Sequence, residues 1–299
     1  MENHINGKDG KGEGIFPAPL YLEFEKAMRG LFMKKKKYAY MTYDKHGNII
    51  KEKNSDRFEL NSKGIILARR DNCQWLRTAY DDCIRSIFDG KSIFDVYDQI
   101  IQNISDVIEL KFDITKELSI IRAMGSNYKS KSYFLSIFSD LMKGLGKPIA
   151  PSERFRYVIV NDHQKRDKIG FRMRTEEMFK EQWEEAGINY GEDVPEGYTP
   201  KDGLYPPEEI DSCYYITNIL KEPIDQLFEF GFARVIKQYE EVRYQPVYKT
   251  RLKPINITRP VAMIELLIRD RKHLIEKEGA RYLLPILKQL PDWFRNSNN

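Results

Sequence analysis

Four consecutive lysines, Lys34 to Lys37, form the densest charge in the sequence, and Tyr38 follows them directly. Four lysines in a row usually mark a solvated tail or a sorting tag, but dense positive charge also favours a polyanion partner. A lysine cluster on an edge strand can equally be a solvated face that prevents aggregation. The run therefore indicates either a polyanion-binding segment or a protected sheet edge.

Two glutamates, Glu23 and Glu25, lie in or directly after a segment, residues 20–24, whose apolar residues alternate as in a strand. Residues two apart on a strand share a face. Carboxylate oxygens are ligands that Mg²⁺ prefers. The alternative is a half-exposed strand whose polar residues face water.

Histidine and cysteine offer no comparable pattern. The four histidines and three cysteines are scattered, without the spacing of a zinc site, and the cysteines are too few for a disulfide framework. We therefore expect a reducing, intracellular setting. The sequence has no run of about 18 apolar residues and no secretory signal at its polar, glycine-containing start, so we expect no membrane span and no export.

Charge is distributed unevenly along the chain. Residues 26–70 hold 13 Lys and Arg against 4 Asp and Glu, residues 71–231 hold 20 against 29, and residues 232–299 hold 14 against 7. The two basic segments favour a polyanion partner that is contacted at two places. On composition alone, solvated charged faces explain the distribution equally well.

The elements that position these residues change type along the chain. Up to residue 72, alternating apolar residues predict short strands that form a small antiparallel sheet or the edge of a larger one. The predicted segments are a strand at 20–24, a hairpin within 36–53 with its turn at "DKHGN", and a strand at 63–72.

Beyond residue 72 the apolar spacing is helical. Four features refine this prediction: a capping box at Ser92 and Asp95, a lone buried strand at 156–160, an irregular excursion at 163–209 with one short helix, and a kink or break at Pro223. The predicted helices cover 71–90, 92–108, 132–146, 208–232 and 259–279, the last with Pro260 in its first turn.

Six segments, in this order, resemble the C-terminal part of family B DNA polymerases, most closely the delta-like replicative enzymes of eukaryotes and large DNA viruses. Together they place the resemblance on residues 16–230. They are "LYLEFEK", "KKKYAY", "KGIILARRDN", "DITKEL", "RYVIV" and "IDSCYYITNILKEPI".

The resemblance implies roles for individual residues. Lys35, Lys36, Lys37 and Tyr38, with Lys34 beside them, match a "KKRY"-type palm strand that runs along the minor groove of the primer–template duplex. The segment that leads from palm to thumb would contact the primer backbone through Lys63, Arg69 and Arg70. Asp71 would hold an arginine or cap the next helix. Glu25, or Glu23 in its place, would be an auxiliary carboxylate outlying the catalytic metals.

The implied fold class is α+β: the end of an antiparallel palm sheet, then a mainly helical thumb and a helical C-terminal extension. The corresponding ranges are a flexible leader at 1–14, palm at 15–70, thumb at 71–231 and a basic extension at 232–299. An apolar stripe on the extension, which includes Val261, predicts packing within the chain, with docking on a processivity factor as the alternative.

The family's "DxxSLYP", "KxxxNSxYG" and "YGDTDS" motifs do not occur in this sequence. We therefore expect the chain alone to be inactive. It would complete an enzyme that uses Mg²⁺, deoxynucleoside triphosphates and primer–template DNA, in the nucleus or at a cytoplasmic viral replication site. Its partner would be a polypeptide with the exonuclease, fingers and catalytic palm motifs.

Several interpretations stay open at the level of sequence. The chain is one half of a split polymerase or a piece of a longer gene product. A rival is a non-catalytic duplex-DNA-binding protein derived from a polymerase, and a weaker one is an RNA-associated basic domain. A partner that carries the missing motifs would separate the first group from the rivals.

Overall fold

A computed structural model describes most of the chain, which divides into two compact units, residues 1–65 and 66–299. The predicted leader at 1–14 and most of the predicted first strand lie outside the described residues, as does Arg70. The described residues are 15, 23, 25–69, 71–189, 195, 198–199, 206–232, 242–244, 253–255 and 259–296.

The first unit contains a three-stranded antiparallel sheet. Its strands are β1 (Ala27–Lys34), β2 (Lys37–Tyr43) and β3 (Leu60–Lys63), in that spatial order. β2 alternates as expected for a strand with one buried face, because Ala39 and Met41 are buried between half-buried tyrosines. A small antiparallel sheet is present as predicted, but β1 was not predicted, and the second arm of the predicted hairpin forms only isolated bridges at Ile49 and Lys51.

The predicted boundaries of this sheet need correction. The third strand does not span 63–72: β3 ends at Lys63, and Ile66–Ala68 form a single 3₁₀ turn. Gly64 has a φ of +69°, which ends the extended conformation. The predicted "DKHGN" turn is present, because Asp44 Oδ1 accepts backbone hydrogen bonds from His46 and Asn48, both at 2.8 Å.

The second unit is mainly helical. A three-stranded antiparallel sheet, β4 (Ile120–Ala123), β5 (Arg154–Ile159) and β6 (Met173–Thr175), interrupts the helices. The helices before residue 200 are α1 (Gln74–Phe88), α2 (Ile93–Glu109), α3 (Ile114–Leu118), α4 (Phe134–Gly144), α5 (Ile169–Arg172) and α6 (Glu176–Ala186).

The predicted helices α1 and α2 are confirmed and pack against each other. The apolar stripe of α1 is buried, from Trp75 to Ile84. α2 begins at the predicted capping box: the Ser92 hydroxyl accepts from the Asp95 backbone N–H at 3.2 Å, and the Asp95 carboxylate accepts from the Ser92 backbone N–H at 3.0 Å.

The prediction of a lone strand at 156–160 was wrong. β5 is the central strand of its sheet, with Ile120 paired to Tyr157 on one side and Met173 paired to Ile159 on the other. β4 and β6 are only four and three residues long, too short for a readable alternation. In the excursion at 163–209, α6 is the predicted helix, whereas α5 and β6 were not predicted.

A long helical segment follows the excursion. It consists of α7 (Ser212–Tyr214), a π-helical segment (Tyr215–Leu220) and α8 (Lys221–Gly231). Pro223 does not break the helix. It lies near the start of α8, which continues directly from the π segment, and the irregular hydrogen bonding falls in that segment.

The described part of the C-terminal segment contains a short hairpin, β7 (Val242–Tyr244) with β8 (Lys253–Ile255). The predicted helix at 259–279 is two helices, because the chain breaks at Arg271. They are α9 (Pro260–Asp270) and α10 (Lys272–Glu278), followed by α11 (Leu284–Asn296).

The C-terminal helices pack within the second unit. Val261, Ile264 and Leu267 of α9 are buried, as the apolar stripe predicted, and α9 contacts α8. α11 contacts α2. These helices therefore share the core of the helical unit.

Candidate nucleic-acid interface

The four lysines of the run lie at the tip of the β1–β2 hairpin. Lys34 pairs with Lys37, so Lys35 and Lys36 form a two-residue turn, and Lys36 has a φ of +65°. We call Lys34–Lys37 the lysine turn. Lys34, Lys35 and Lys36 are exposed and Lys37 is half-buried. The hairpin geometry therefore concentrates four positive charges on one projecting turn.

β3 brings a fifth lysine to the same place. Lys63 pairs with Tyr38, and residue 64 lies so close to the turn that a Cβ there would clash with the carbonyl oxygen of Lys36. The structure thus groups the lysine turn, Tyr38 and Lys63 at one end of the first unit. Within the described part of the chain, none of these five lysines forms an ion pair. Their mutual repulsion favours an anionic ligand.

An aromatic face continues from the lysine turn along β2. The Tyr38 and Tyr40 rings are half-buried, with centroids 6.0 Å apart. Lys26 Nζ lies 5.8 Å from the Tyr40 ring centroid, in cation–π range. The surface beside the turn is therefore a mixture of aromatic rings and ammonium groups.

Of the three residues at 69–71 in the predicted palm-to-thumb segment, the structure describes Arg69 and Asp71. Arg69 is exposed in the second unit, and Arg70 lies outside the described residues. Asp71 does not cap α1: the N-cap residue is Cys73, without a side-chain capping bond. The carboxylate of Asp71 instead accepts a hydrogen bond at 3.0 Å from Nη1 of Arg122, which the sequence pattern did not single out.

The second unit carries further exposed basic and aromatic residues, namely Arg122 and residues that follow it in the chain. The Arg122 side chain is 43% exposed, and the loop between β4 and α4 supplies exposed Lys129 and Lys131. Tyr133 is 44% exposed and its ring centroid lies 5.3 Å from that of Tyr128. We call these five residues the arginine–tyrosine surface. The sequence signal was "YKSKSY", in which two lysines alternate with serines between two tyrosines.

Ordered contacts position Arg122. Besides its bond to Asp71, it hydrogen bonds to the hydroxyl of buried Tyr157, whose pKa burial raises to about 12. Arg122 opposes that rise, because a guanidinium favours the phenolate. The side chain is thus held by one carboxylate and one neutral phenol, and part of it stays open to solvent.

Glu23 and Glu25 are exposed and precede β1, so they do not share a strand as predicted. Glu25 Oε1 lies 3.4 Å from Lys26 Nζ, and the hydrogen bond with Glu25 is the main reason why the pKa of Lys26 is raised. No group of three or more His, Cys, Asp or Glu side chains in the described ranges could hold a metal ion. These residues therefore do not fit a magnesium site by themselves.

Among the described residues, no helix is long and apolar enough to cross a membrane. The sequence matches the family model described as DNA polymerase family B over residues 7–230. This match covers most of the chain, including both basic surfaces.

The chain belongs to DNA polymerase family B.

Individual relatives agree with this family. The chain is 28% identical to the DNA polymerase delta catalytic subunit of Schizosaccharomyces pombe over 223 residues, which cover 72% of the chain and 17% of that protein. It is 29% identical to DNA polymerase 037L of Invertebrate iridescent virus 6 over 143 residues, which cover 44% of the chain and 11% of that protein.

A solved family B DNA polymerase from the archaeon Pyrobaculum calidifontis superposes with a TM-score of 0.42 and 17% identity, over 70% of the chain and 22% of that protein. The family-model match over residues 7–230 confirms the family resemblance read from the sequence. The matched regions amount to less than a fifth of the S. pombe and iridescent-virus polymerases.

Proposed function

We propose that this chain provides the duplex-gripping part of a family B DNA polymerase in DNA replication. Residues 15–70 would be the end of the palm, residues 71–231 the thumb and residues 232–299 a basic helical extension. The observation that carries the proposal is the cluster of five lysines around Tyr38, which form no ion pair with any residue that the structure describes and lie within the family match.

The grip would be largely electrostatic. Ammonium groups of the lysine turn and Lys63 would neutralise phosphates and reach minor-groove acceptors, whose pattern depends little on sequence. Arg69, Arg70 and the arginine–tyrosine surface would contribute contacts from the second unit, where a guanidinium can take a phosphate through two hydrogen bonds. A polymerase needs such sequence-independent binding because it must copy every sequence.

Catalysis would depend on residues outside this set. The described residues supply no metal site. Mg²⁺ and deoxynucleoside triphosphates would therefore bind where the family's catalytic aspartates lie. Glu25 or Glu23 would be an auxiliary carboxylate near those metals. We therefore expect the 299-residue chain alone to bind primer–template DNA without extending it. A polypeptide that carries the exonuclease, fingers and catalytic palm motifs would complete the enzyme, and a processivity factor is a further candidate partner.

The grip is tested by measuring duplex affinity against salt concentration by fluorescence anisotropy. The double variant Lys35→Ala with Lys36→Ala should bind several unrelated duplex sequences more weakly by a similar factor. Its log–log salt slope should fall by about 2, since each phosphate contact contributes about 0.9. Lys45→Ala with Lys53→Ala removes two exposed lysines elsewhere in the first unit and is the matched control. Equal salt slopes for the two double variants would show that the lysine turn is a solvated surface that does not contact phosphates.

A second measurement separates a polymerase part from a stand-alone duplex-binding protein. The chain is mixed with a polypeptide that carries "SLYP" and "YGDTDS" motifs from the same source, and primer extension is followed with Mg²⁺ and deoxynucleoside triphosphates. Complex formation and extension by the pair alone would support the proposal. Tight duplex binding with no complex and no extension would favour the stand-alone protein.

A further inference from the structure

The loop between β4 and α4 carries two serines that alternate with lysines. Residues 129–132 read Lys-Ser-Lys-Ser, and all four residues are exposed. Neither Lys129 nor Lys131 forms an ion pair with a residue that the structure describes. The loop therefore presents hydroxyl and ammonium groups together to solvent.

The two serine hydroxyls differ in how firmly they are held. Ser130 Oγ accepts a hydrogen bond from the Ser132 backbone N–H at 3.2 Å, and the Ser130 carbonyl oxygen accepts one from the Tyr133 backbone N–H at 3.2 Å. Ser130 thus holds a local turn, as serine commonly does. Among the described residues, Ser132 Oγ contacts only Ser130 Oγ, at 2.8 Å. Ser132 therefore carries the hydroxyl that is freer to react.

This turn can open without disturbing the core of the second unit. Within the described part of the chain, the hydrogen bonds of Ser130 and Ser132 join residues at most three positions apart. Each such exposed hydrogen bond contributes about 1 kcal/mol or less. The segment can therefore extend into the binding groove of a modifying enzyme.

The lysines lie where a kinase that prefers basic substrates selects its serine. Lys129 is three residues before Ser132, and Lys131 directly precedes it. Kinases discriminate their substrates by charge pattern, because acidic pockets on the kinase attract cations near the acceptor residue. Ser152 is also exposed, but Glu153 follows it and no Lys or Arg is among the three residues before it. The charge pattern therefore distinguishes Ser132 from Ser152.

We propose that Ser132 is a phosphorylation site for a basophilic serine/threonine kinase, and that phosphoserine at this position weakens the grip on duplex DNA. The second half rests on the proposed function, in which the arginine–tyrosine surface contacts phosphates. Ser132 Oγ forms a bond to the γ-phosphorus of ATP, the hydroxyl proton passes to the general base of the kinase, and the bond to the departing ADP oxygen breaks.

Phosphorylation cancels the positive charge of the loop. A phosphoryl group brings about two negative charges, which offset those of Lys129 and Lys131. It competes with DNA phosphates for these ammonium groups and repels the DNA backbone. Tyr133, the N-cap residue of α4, follows the modified serine and makes no side-chain capping bond, and the first turn of α4 has no acidic residue. A phosphate there interacts favourably with the helix dipole, so it stabilises α4 while it weakens DNA binding.

The site is tested by incubating the full 299-residue chain with ATP, Mg²⁺ and the catalytic fragment of protein kinase C, which selects basic residues near the acceptor. Mass spectrometry should place the fastest phosphate incorporation on Ser132. Ser132→Ala should abolish that incorporation, and Lys129→Ala with Lys131→Ala should slow it about ten-fold. Ser152 is the internal control. Faster incorporation at Ser152 than at Ser132, or none at Ser132, would overturn the proposed site.

The effect on binding is measured with a chain in which phosphoserine is incorporated at position 132 during translation. Its duplex affinity should fall about ten-fold, and its log–log salt slope should fall by about 2, because two lysine contacts are lost. Phosphatase treatment should restore both values, and amides in the first turn of α4 should exchange more slowly than in the unmodified chain.

Two outcomes separate this inference from the proposed function. Unchanged duplex affinity in the phosphoserine chain, with tight binding by the unmodified chain, would overturn the regulatory role and leave the proposed function standing. Failure of the unmodified chain to bind any duplex would instead refute the proposed function, and the kinase assay would still decide the site.

Discussion

At the scale of single residues, the lysine turn depends on an unusual backbone conformation. Lys36 lies in the left-handed region, with a φ of +65°. Residues other than glycine adopt this conformation at a cost of roughly 1 kcal/mol, because Cβ approaches the following carbonyl oxygen. A strained lysine at this place is consistent with selection for its charge over its fit to the turn.

Replacing Lys36 with glycine should separate stability from binding. Lys36→Gly should raise the free energy of unfolding of the first unit by about 0.5 kcal/mol or leave it unchanged, since relief of strain outweighs the added chain entropy. Duplex affinity should fall, because one phosphate contact is lost. Urea unfolding and fluorescence anisotropy measure the two effects. Lys35→Gly is the control, and equal stability changes in both variants would contradict the strain at Lys36.

Gly64 should be the least replaceable residue of this site. Gly64→Ala places a Cβ against the Lys36 carbonyl oxygen in a residue whose φ is +69°. We expect a loss of about 2 kcal/mol or more in the stability of the first unit and a displaced lysine turn. Gly47 also has a positive φ, but a Cβ added there would have no other atom within 4 Å. Gly47→Ala should therefore show the cost of the backbone strain alone. Hydrogen exchange of β3 amides measures both, and a Gly64→Ala chain as stable as Gly47→Ala would refute the steric argument.

At the scale of elements, the C-terminal helices are attached to the helical unit through a buried carboxylate. Asp225 of α8 accepts a hydrogen bond from the Val261 backbone N–H at 3.0 Å, at the start of α9. Lys221 on α8 also pairs with Glu265 on α9 at 2.5 Å. A side chain from a neighbouring helix thus satisfies an N-terminal N–H that α9 cannot satisfy itself.

Asp225 should make this junction sensitive to pH. Burial raises the pKa of Asp225 to about 7, although the Val261 hydrogen bond and the charge of Lys221 oppose the rise. The folded state therefore holds a proton that the unfolded chain releases near pH 4. Stability from this group is greatest below about pH 4 and decreases as the pH rises to about 7.

Asp225→Asn should keep the acceptor and remove the titration. The free-energy difference between variant and unmodified chain should shift in favour of the variant by roughly 2 kcal/mol between pH 5 and pH 8, as measured by urea unfolding. Asp225→Ala removes the acceptor and should destabilise α9 at both pH values. A difference that is independent of pH in Asp225→Asn would show that Asp225 is ionised throughout.

At the scale of the whole molecule, the two units differ in the size of their cores. In the first unit, the buried apolar side chains among the described residues are Ala39, Met41 and Ile65, whereas helices and a sheet enclose a large apolar core in the second. Small sheets with little buried apolar surface are marginally stable. The stability of the chain is therefore concentrated in the helical unit.

Native-state hydrogen exchange of the full chain should reveal this difference. Amides of β1–β3 should exchange with opening free energies well below those of α2, whose apolar face is fully buried. Primer–template DNA should slow exchange in β2 and β3 and leave α2 unchanged, because binding stabilises only the conformation that it contacts. Equal protection in β2 and α2 without DNA would contradict separate stabilities for the two units.

Local patterns in the sequence determined much of the secondary structure. Amphipathic spacing and the Ser92 capping box define α1 and α2, and the alternation around Ala39 and Met41 defines β2. These signals are readable because they depend on neighbours within one turn or one strand. The six ordered segments likewise indicated the polymerase family, which the match over residues 7–230 confirms.

Only the tertiary structure decided which residues come together. β3 ends where Gly64 meets the Lys36 backbone, β5 acquires two short partner strands, and Asp71 pairs with Arg122 across 51 positions of sequence. Such contacts follow from chain packing and long-range pairing, which sequence periodicity does not encode.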